Sequence, residues 1–215
     1  MKTVLFHGQA GSGKDTQVEM LLNKYPIERI ATGDMFRTMR AEGDPDAIEV
    51  SKKFDNGVWP NPKETYDLFA KWLKRFDNSK DWMLVSVARY AEQIPYLDND
   101  LKLYGRKLDL VIHFKLTEEI ALERLAGREI CPKCQATYHP KFKAEKVKGI
   151  CDYCSGTLYV REDDKPESIK KRFKQYSDTI AAYLDIYRER GILVEIEASG
   201  TIEQIHQEVI KAIGY

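Results

Sequence analysis

The sequence predicts an α/β protein built on a parallel sheet that carries a phosphate-binding loop. Short apolar or β-branched runs alternate with segments of helical periodicity, which is typical of βαβ units. The first run leads directly into a glycine-rich segment followed by a helix. With 43% hydrophobic residues, the 215-residue chain can form one core plus a small appendage. In such a fold, ligands bind beyond the carboxyl ends of the strands.

Five apolar runs are the predicted strands, over residues 3–6, 27–31, 82–87, 108–116 and 192–196. A first helix is predicted to begin at residue 14, and further helices are predicted over residues 63–76, 118–126, 166–190 and 202–213. Two stretches interrupt this alternation. Residues 31–62 are helical without a strand, and residues 128–164 are rich in turns and hold all four cysteines. Both are interpreted as insertions on the ligand side of the sheet.

Composition and charge exclude several classes of protein. The 34 basic and 34 acidic residues cancel, whereas a general nucleic-acid binder has a basic excess. No apolar run approaches the roughly 18 residues of a membrane span, and the N-terminal run is too short for a signal peptide. We therefore expect a cytoplasmic protein with no nucleic-acid or membrane partner. Nothing in the sequence requires a second chain, so a monomer is expected.

The first predicted strand is followed by the loop Gly8-Gln9-Ala10-Gly11-Ser12-Gly13-Lys14-Asp15-Thr16. Its glycines allow successive backbone N–H groups to face one point, and the next helix adds its N-terminal N–H groups. Lys14 supplies a cation for the β- and γ-phosphates of a nucleotide. The strict motif has a hydroxyl directly after this lysine, but here Asp15 intervenes before Thr16. Asp15 is interpreted as an acid in the first turn of the helix and not as a metal ligand, because a carboxylate directed at a triphosphate would be repelled by it.

A second phosphate site is predicted where the next two strands end. The second strand is followed by Thr32-Gly33-Asp34, in which Thr32 or Asp34 can cap a helix, and then by Arg37 one turn later. The third strand is expected to end at residues 87–88, and Arg89 and Gln93 follow it. Arginines placed after two parallel strands favour anion binding at one edge of the sheet.

The cysteines form two C-x2-C pairs separated by sixteen residues: Cys131 with Cys134, and Cys151 with Cys154. This spacing predicts a structural zinc site of four thiolates, with no coordination position left for a catalytic water. A redox dithiol is the alternative. Four arginines bracket this segment: Arg124, Arg128, Arg161 and Arg172. They suit the binding of a transferring phosphoryl group, although a surface salt-bridge face with neighbouring acids is the simpler reading.

Taken together in this order and spacing, these motifs resemble the adenylate kinase family of nucleoside monophosphate kinases, in its long-lid, zinc-containing form. The resemblance covers nearly the whole chain. It implies a P-loop three-layer fold with a five-stranded parallel sheet, whose core comprises residues 1–30, 61–127 and 165–215. A helical acceptor-binding (NMP-binding) insertion would cover residues 31–60, and a zinc-ribbon-like lid residues 128–164.

The resemblance also implies roles for individual residues. The implied ATP-binding residues are Gly11, Ser12, Gly13, Lys14, Asp15, Thr16, Arg124, Arg128, Thr137, Tyr138 and His139. The implied AMP-binding residues are Thr32, Arg37, Arg89, Gln93, Arg161 and Arg172. Catalysis would rest on Lys14, Arg89, Arg128, Arg161 and Arg172, and Asp34 would orient waters on magnesium. The implied reaction is MgATP + AMP = 2 ADP, by in-line transfer with lid closure. Its cofactors would be Mg²⁺ with ATP and a structural Zn²⁺.

One segment departs from the family pattern. Where the family's third strand typically ends in Asp-Gly-Phe-Pro-Arg, this chain has Val85-Ser86-Val87-Ala88-Arg89. Val85 lacks the carboxylate that would partner Asp34 near magnesium. An enzyme with another acceptor (GMP, UMP or CMP) and a catalytically weakened nucleotide-binding zinc-lid protein are therefore alternatives. A zinc-ribbon RNA binder is a third.

Overall fold

A five-stranded parallel sheet forms the centre of the computed structural model, which describes residues 1–55, 60–160, 164 and 166–215. The strands are β1 (Thr3–Gly8), β2 (Ile27–Ala31), β3 (Asp81–Val85), β4 (Leu110–Lys115), β5 (Glu129–Ile130), β6 (Thr137–Tyr138) and β7 (Leu193–Glu197). The central sheet has the order β2-β3-β1-β4-β7, and β5 pairs with β6 in a separate antiparallel ribbon. All neighbours in the central sheet are parallel, which confirms the predicted fold class.

The described helices are α1 (Lys14–Leu22), α2 (Thr32–Ala41), α3 (Pro45–Asp55), α4 (Pro62–Leu73), α5 (Ile94–Leu103), α6 (Glu118–Ala126), α7 (Pro166–Glu189) and α8 (Ile202–Ile213). Helices α6 and α8 have the predicted bounds. Sequence reasoning missed α5 and the short β5–β6 ribbon. The spacing of Ile94, Leu97 and Leu101, all buried, was the available signal for α5.

Alternate residues of each strand face two separate apolar layers. Val4 and Phe6 pack with Val18 of α1 and Val209 of α8 on one side of the sheet. Leu5 faces the other side, in a cluster that draws on α2, α4, α5 and α7. This arrangement follows from the two-residue period of a strand, and it produces the predicted three layers. A smaller cluster joins α6 to α7.

The carboxyl ends of β1, β2 and β3 meet at one edge of the sheet. Phe6 is in register with Val85, and Ala31 is in register with the same residue. The glycine-rich loop therefore begins beside the start of α2. The topology places the two predicted phosphate-binding regions next to each other, as parallel strands require.

The third strand ends at Val85, two residues earlier than predicted, because the backbone enters the left-handed region of φ directly after it. Ser86 and Ala88 have φ values of 54° and 51°, in the left-handed region that L-residues rarely adopt. Such a conformation costs about 1 kcal/mol per residue and persists only where the surroundings enforce it. The turn that carries Arg89 is therefore a strained connection between the sheet and α5.

None of the described helices is both long enough and apolar enough to cross a bilayer.

Asp100 on α5 provides a prediction about stability and pH. Its Oδ2 atom is buried without a hydrogen-bond partner among the described residues. Burial, with a smaller contribution from Asp67, raises the pKa of the Asp100 carboxyl to about 7. The folded state therefore binds a proton that the unfolded state has lost, so stability is expected to fall as pH rises from about 4 to 7.

Asp100→Asn should remove this loss. Because the carboxyl is only partly buried, solvent screening limits the expected gain at pH 8 to about 1 kcal/mol, or about 3 °C in Tm. Thermal unfolding of both proteins at pH 5 and pH 8 measures it, with Asp178→Asn on the exposed face of α7 as the control. Equal Tm values for wild type and Asp100→Asn at pH 8 would contradict the prediction.

Candidate functional site

The loop between β1 and α1 has the geometry of an anion cradle. Gly11 and Gly13 have φ values of 81° and 84°, and Gly13 directly precedes the first turn of α1. A Cβ atom on Gly11 would lie 2.7 Å from the carbonyl oxygen of Ala121, so the close packing of the loop on α6 also requires glycine there. The N-terminal N–H groups of α1 thus face the space above the loop.

Lys14 lies buried within this loop. Its Nζ donates a hydrogen bond to the carbonyl oxygen of Gln9, at 3.1 Å. Burial lowers the pKa of the Lys14 ammonium to about 8; Asp15 opposes this shift, and the charges of Arg172, Arg89 and Arg128 add to it. Several cations therefore converge on one point, and a bound anion there would be strongly stabilised.

A cavity of about 750 Å³ opens above the loop, which is a suitable size for a nucleotide. Its apolar lining includes Ile120 of α6, Ile202 of α8, and Phe142 of the cysteine-bearing segment. Ten of the eleven residues predicted to bind ATP line it: Gly11, Gly13, Lys14, Asp15, Thr16, Arg124, Arg128, Thr137, Tyr138 and His139. The eleventh, Ser12, is buried within the loop. Residues 199–205, after β7, also line this cavity, and sequence reasoning missed them.

Two of these residues face the cavity while their polar atoms bond elsewhere. The hydroxyl of Tyr138 contacts Sγ of Cys151 at 3.4 Å and accepts a hydrogen bond from the backbone N–H of Asp152. The Nε2 of His139 lies 3.2 Å from the carbonyl oxygen of Glu123. These bonds fix both rings against the wall of the cavity.

A second cavity, of about 350 Å³, also borders Lys14. It is lined by Arg89 and Arg172, together with His7, Ser86 and Tyr176. Lys14 also lines the larger cavity, so the two cavities adjoin at this residue. Anionic ends of ligands bound in the two cavities could therefore both reach Lys14.

The predicted AMP-binding residues Thr32 and Gln93 hold the strained turn after β3. The Thr32 hydroxyl donates to the carbonyl oxygen of Ser86, at 3.1 Å. The Gln93 side-chain oxygen accepts a hydrogen bond from the backbone N–H of Arg89, at 2.7 Å. The Nε of Arg89 lies 3.4 Å from the same Ser86 oxygen. The turn thus positions Arg89 at the rim of the smaller cavity.

Asp34, which the resemblance places near magnesium, is bonded to two arginines. Arg37 donates to its Oδ1 at 2.6 Å, and Arg29 of β2 donates to its Oδ2. A Cβ atom on Gly33 would lie 3.2 Å from Nη1 of Arg37, so the glycine leaves room for this guanidinium. Arg37 is therefore held at the start of α2 by Asp34.

Asp164 joins two of the predicted catalytic arginines. Arg128 donates two hydrogen bonds to its carboxylate, at 2.8 Å and 2.6 Å, and Arg172 donates one at 3.2 Å. The Asp164 side chain is 1% exposed. The sequence analysis gave Asp164 no role, although an acid that lies between the bracketing arginines Arg128 and Arg172 was the available signal. Arg161, the remaining predicted arginine, lies outside the described residues.

The four cysteines form one cluster whose Sγ atoms all lie within 4.8 Å of one another. In each C-x2-C turn, the residue after the second cysteine donates to the carbonyl of the first, at 2.9 Å, and has a left-handed φ. All four thiols are free of disulfides. A tetrahedral Zn–S site has S–S separations of about 3.8 Å, so this donor set fits a closed four-thiolate metal site.

The cysteine-bearing segment also touches the phosphate loop's helix. Lys143 pairs with Glu19 of α1 at 2.8 Å, and its ammonium lies over the rings of Tyr138 and Tyr153. The hydroxyl of Thr137 also lies 3.4 Å from the hydroxyl of Thr16 in α1. These contacts bring the segment down over the larger cavity.

Comparison with known proteins supports one family. A family model described as adenylate kinase matches residues 6–192. The adenylate kinase of Clostridioides difficile (strain 630) is 34% identical over 211 residues, which cover 98% of each chain. That of Enterococcus faecalis is 36% identical over 211 residues, again 98% of each chain. That of Desulfitobacterium hafniense is 36% identical over 213 residues, covering 99% of this chain and 98% of the relative.

Proposed function

Since the chain belongs to the adenylate kinase family and is a phosphotransferase, we propose that its larger cavity binds ATP and its smaller cavity receives the phosphate of AMP. Phosphoryl transfer between ATP and AMP is the general reaction of the family. The observation that carries the assignment is the position of Lys14, which lines both cavities. Opposed phosphates on either side of one cation suit direct in-line transfer.

In this proposal the protein neutralises charge and requires no general base, because the attacking phosphate oxygen of AMP is already an anion. Lys14 and the N–H groups of the loop bind the ATP phosphates. Arg128 and Arg172, oriented by Asp164, stabilise the phosphoryl group in flight. Arg89 binds the acceptor phosphate, and Arg37 joins it after leaving Asp34. Thr32 and Gln93 act by holding the turn that carries Arg89.

Adenylate kinases in general use Mg²⁺ with ATP. The residues here do not form the expected pair of carboxylates for it, since Val85 is apolar and Asp34 is bonded to Arg29 and Arg37. We therefore propose that magnesium is held chiefly by the phosphates of ATP. The Thr16 hydroxyl, in the first turn of α1, lines the same cavity.

We assign the four cysteines to a structural Zn²⁺ that stiffens residues 128–164 as a lid, because closed thiolate coordination leaves no open position for catalysis. Residues 31–60 then form the acceptor-binding insertion, and residues 1–30, 61–127 and 165–215 the core. Clustered free thiols fit a reducing compartment, so the proposed location is the cytoplasm. A monomer without nucleic-acid or membrane partners completes the proposal.

An ADP-formation assay with ATP and each of AMP, GMP, UMP and CMP, with magnesium and with EDTA, tests the function. The expected result is ADP formation that is fastest with AMP and lost in EDTA. Faster reaction with another monophosphate would show that the acceptor site differs from the family's. ATP binding without any ADP formation would show a nucleotide-binding protein that has lost its chemistry.

The Lys143–Glu19 pair gives a prediction about lid closure. It is half-buried and joins the lid to the core, so Glu19→Gln should favour the open lid. We expect ATP affinity to weaken about threefold, the effect of about 0.6 kcal/mol at a partly exposed ion pair. Calorimetric titration of ATP measures it, and Glu197→Gln, which removes an exposed pair on β7, is the control. Unchanged affinity in Glu19→Gln would show that this contact does not contribute to closure.

A further inference from the structure

Asp15 places a carboxylate inside the proposed ATP site. It directly follows Lys14, lies in the first turn of α1, and lines the larger cavity. Its side chain is 36% exposed, so water screens its charge incompletely. An uncompensated negative charge at this position would repel the phosphates of ATP.

Arg29 compensates this charge. Its Nη2 donates to Oδ1 of Asp15 at 2.6 Å, while its Nη1 donates to Asp34. Burial opposes ionisation of both Asp15 and Arg29. Nevertheless the Arg29 charge lowers the pKa of the Asp15 carboxyl far below its usual range, and both carboxylates raise the pKa of the Arg29 guanidinium. Asp15 and Arg29 are therefore both charged at neutral pH, and the pair is neutral as a unit.

The position of Arg29 distinguishes this pair from an ordinary surface salt bridge. Arg29 is 17% exposed and reaches from β2 to the first turns of both α1 and α2. By contrast, the Arg75–Glu42 pair is 42% and 47% exposed and touches neither cavity. Exposed pairs of that kind contribute little. One guanidinium thus connects the helix of the phosphate loop to the helix that carries Arg37.

We propose that Arg29 is a positioning residue for ATP binding, which makes a carboxylate tolerable in the phosphate loop by neutralising Asp15. The inference rests on the proposed function, since it requires that the larger cavity bind ATP. Arg29 lines neither cavity, so it acts through Asp15 and not by touching ATP. It follows that Asp15 and Arg29 depend on each other: removal of the arginine should be harmful mainly while the aspartate remains.

A double-mutant cycle tests this dependence. ATP dissociation constants are measured calorimetrically for wild type, Arg29→Gln, Asp15→Asn and the double variant, with and without magnesium. We expect Arg29→Gln to bind ATP about tenfold more weakly, equivalent to about 1.4 kcal/mol. The same Arg29→Gln change made in the Asp15→Asn background should weaken ATP binding by no more than about threefold relative to Asp15→Asn alone, and this difference is the coupling that the cycle measures. Arg75→Gln, which breaks the exposed pair, is the matched control and should leave ATP affinity unchanged.

Several outcomes would overturn the proposal. Unchanged ATP affinity in Arg29→Gln, or a double variant no better than Arg29→Gln, would show that Arg29 does not act by neutralising Asp15. A tenfold loss in Asp15→Asn that appears only with magnesium would make Asp15 a magnesium contact instead. If Arg29→Gln does not fold, Arg29→Lys keeps one charge and should lose about threefold, again restored by Asp15→Asn. Absence of ATP binding by wild type would instead defeat the proposed function, from which this inference starts.

Discussion

Replacement of Lys14 by methionine is expected to reduce the rate of ADP formation at least a hundredfold while the fold stays intact. Lys14 lines both cavities, so in the proposed mechanism its charge would stabilise the phosphoryl group during transfer. Loss of one such charged donor from a preorganised site typically costs about 3 kcal/mol of transition-state stabilisation. Methionine keeps the length and apolar packing of the buried stem, so little stability should be lost.

The readout that separates this role from a structural one is the pH dependence of ATP affinity. The pKa of Lys14 in the free protein is about 8, so wild-type affinity should fall above that pH, whereas Lys14→Met should lack this component. Steady-state kinetics and calorimetry from pH 6.5 to 9 measure both effects. Lys174→Met, which removes an exposed lysine from α7, is the control. Turnover within about tenfold of wild type in Lys14→Met would contradict its assigned place between the phosphates.

Replacement of Cys151 by serine is expected to abolish stoichiometric metal binding and to disorder the lid. Cys151 is buried, and its thiol contacts Cys134 at 3.4 Å and the Tyr138 hydroxyl. Burial tends to raise the pKa of this thiol, but hydrogen bonds from Tyr138 and backbone N–H groups lower it, whereas the pKa values of the neighbouring Cys134 and Cys154 thiols are raised. Structural zinc sites contribute about 10 kcal/mol or more to the folding of small metal-bound units.

Metal analysis, hydrogen exchange and ADP formation test the variant together. Wild type should carry about one zinc per chain, and Cys151→Ser nearly none. Protection from exchange should be lost over residues 129–160 but retained in the central sheet, and turnover should fall at least tenfold, since lid closure excludes water and orients Arg128. Lys133→Ala, at an exposed position within the first C-x2-C turn, is the control. Full protection of the lid in metal-free Cys151→Ser would show that zinc is not its structural support.

The sequence predicts the central sheet well because strand and helix periods are local properties. The run at residues 27–31 and the helices at residues 118–126 and 202–213 have the bounds that their apolar patterns indicate. The end of β3 was predicted two residues too late. The apolar Val87 suggests that the strand continues. In the structure, however, Ser86 has a left-handed φ, and its carbonyl oxygen is bound by Thr32, which is far away in sequence, and by Arg89 of the same turn.

In the candidate site, too, the features with local sequence signals were predictable and those that depend on distant partners were not. Glycine spacing and C-x2-C pairs are local signals, and they indicated the phosphate loop and the cysteine cluster. The partners of the charged residues are not local. Asp164 binds Arg128 across 36 positions, and Lys143 binds Glu19 across 124 positions. Asp15 appeared to be a helix-terminal acid in sequence, and its dependence on Arg29 emerges only when β2 lies beside α1.

The central claim is that two nucleotides bind on opposite sides of Lys14, so that a phosphoryl group passes directly between them. A crystal structure with a bisubstrate molecule, two adenosines joined through a polyphosphate chain, tests it most directly. The account predicts one molecule spanning both cavities, with Lys14, Arg128 and Arg89 contacting a single polyphosphate chain. A structure in which Lys14 and Arg89 contact separate molecules on unconnected surfaces would contradict it.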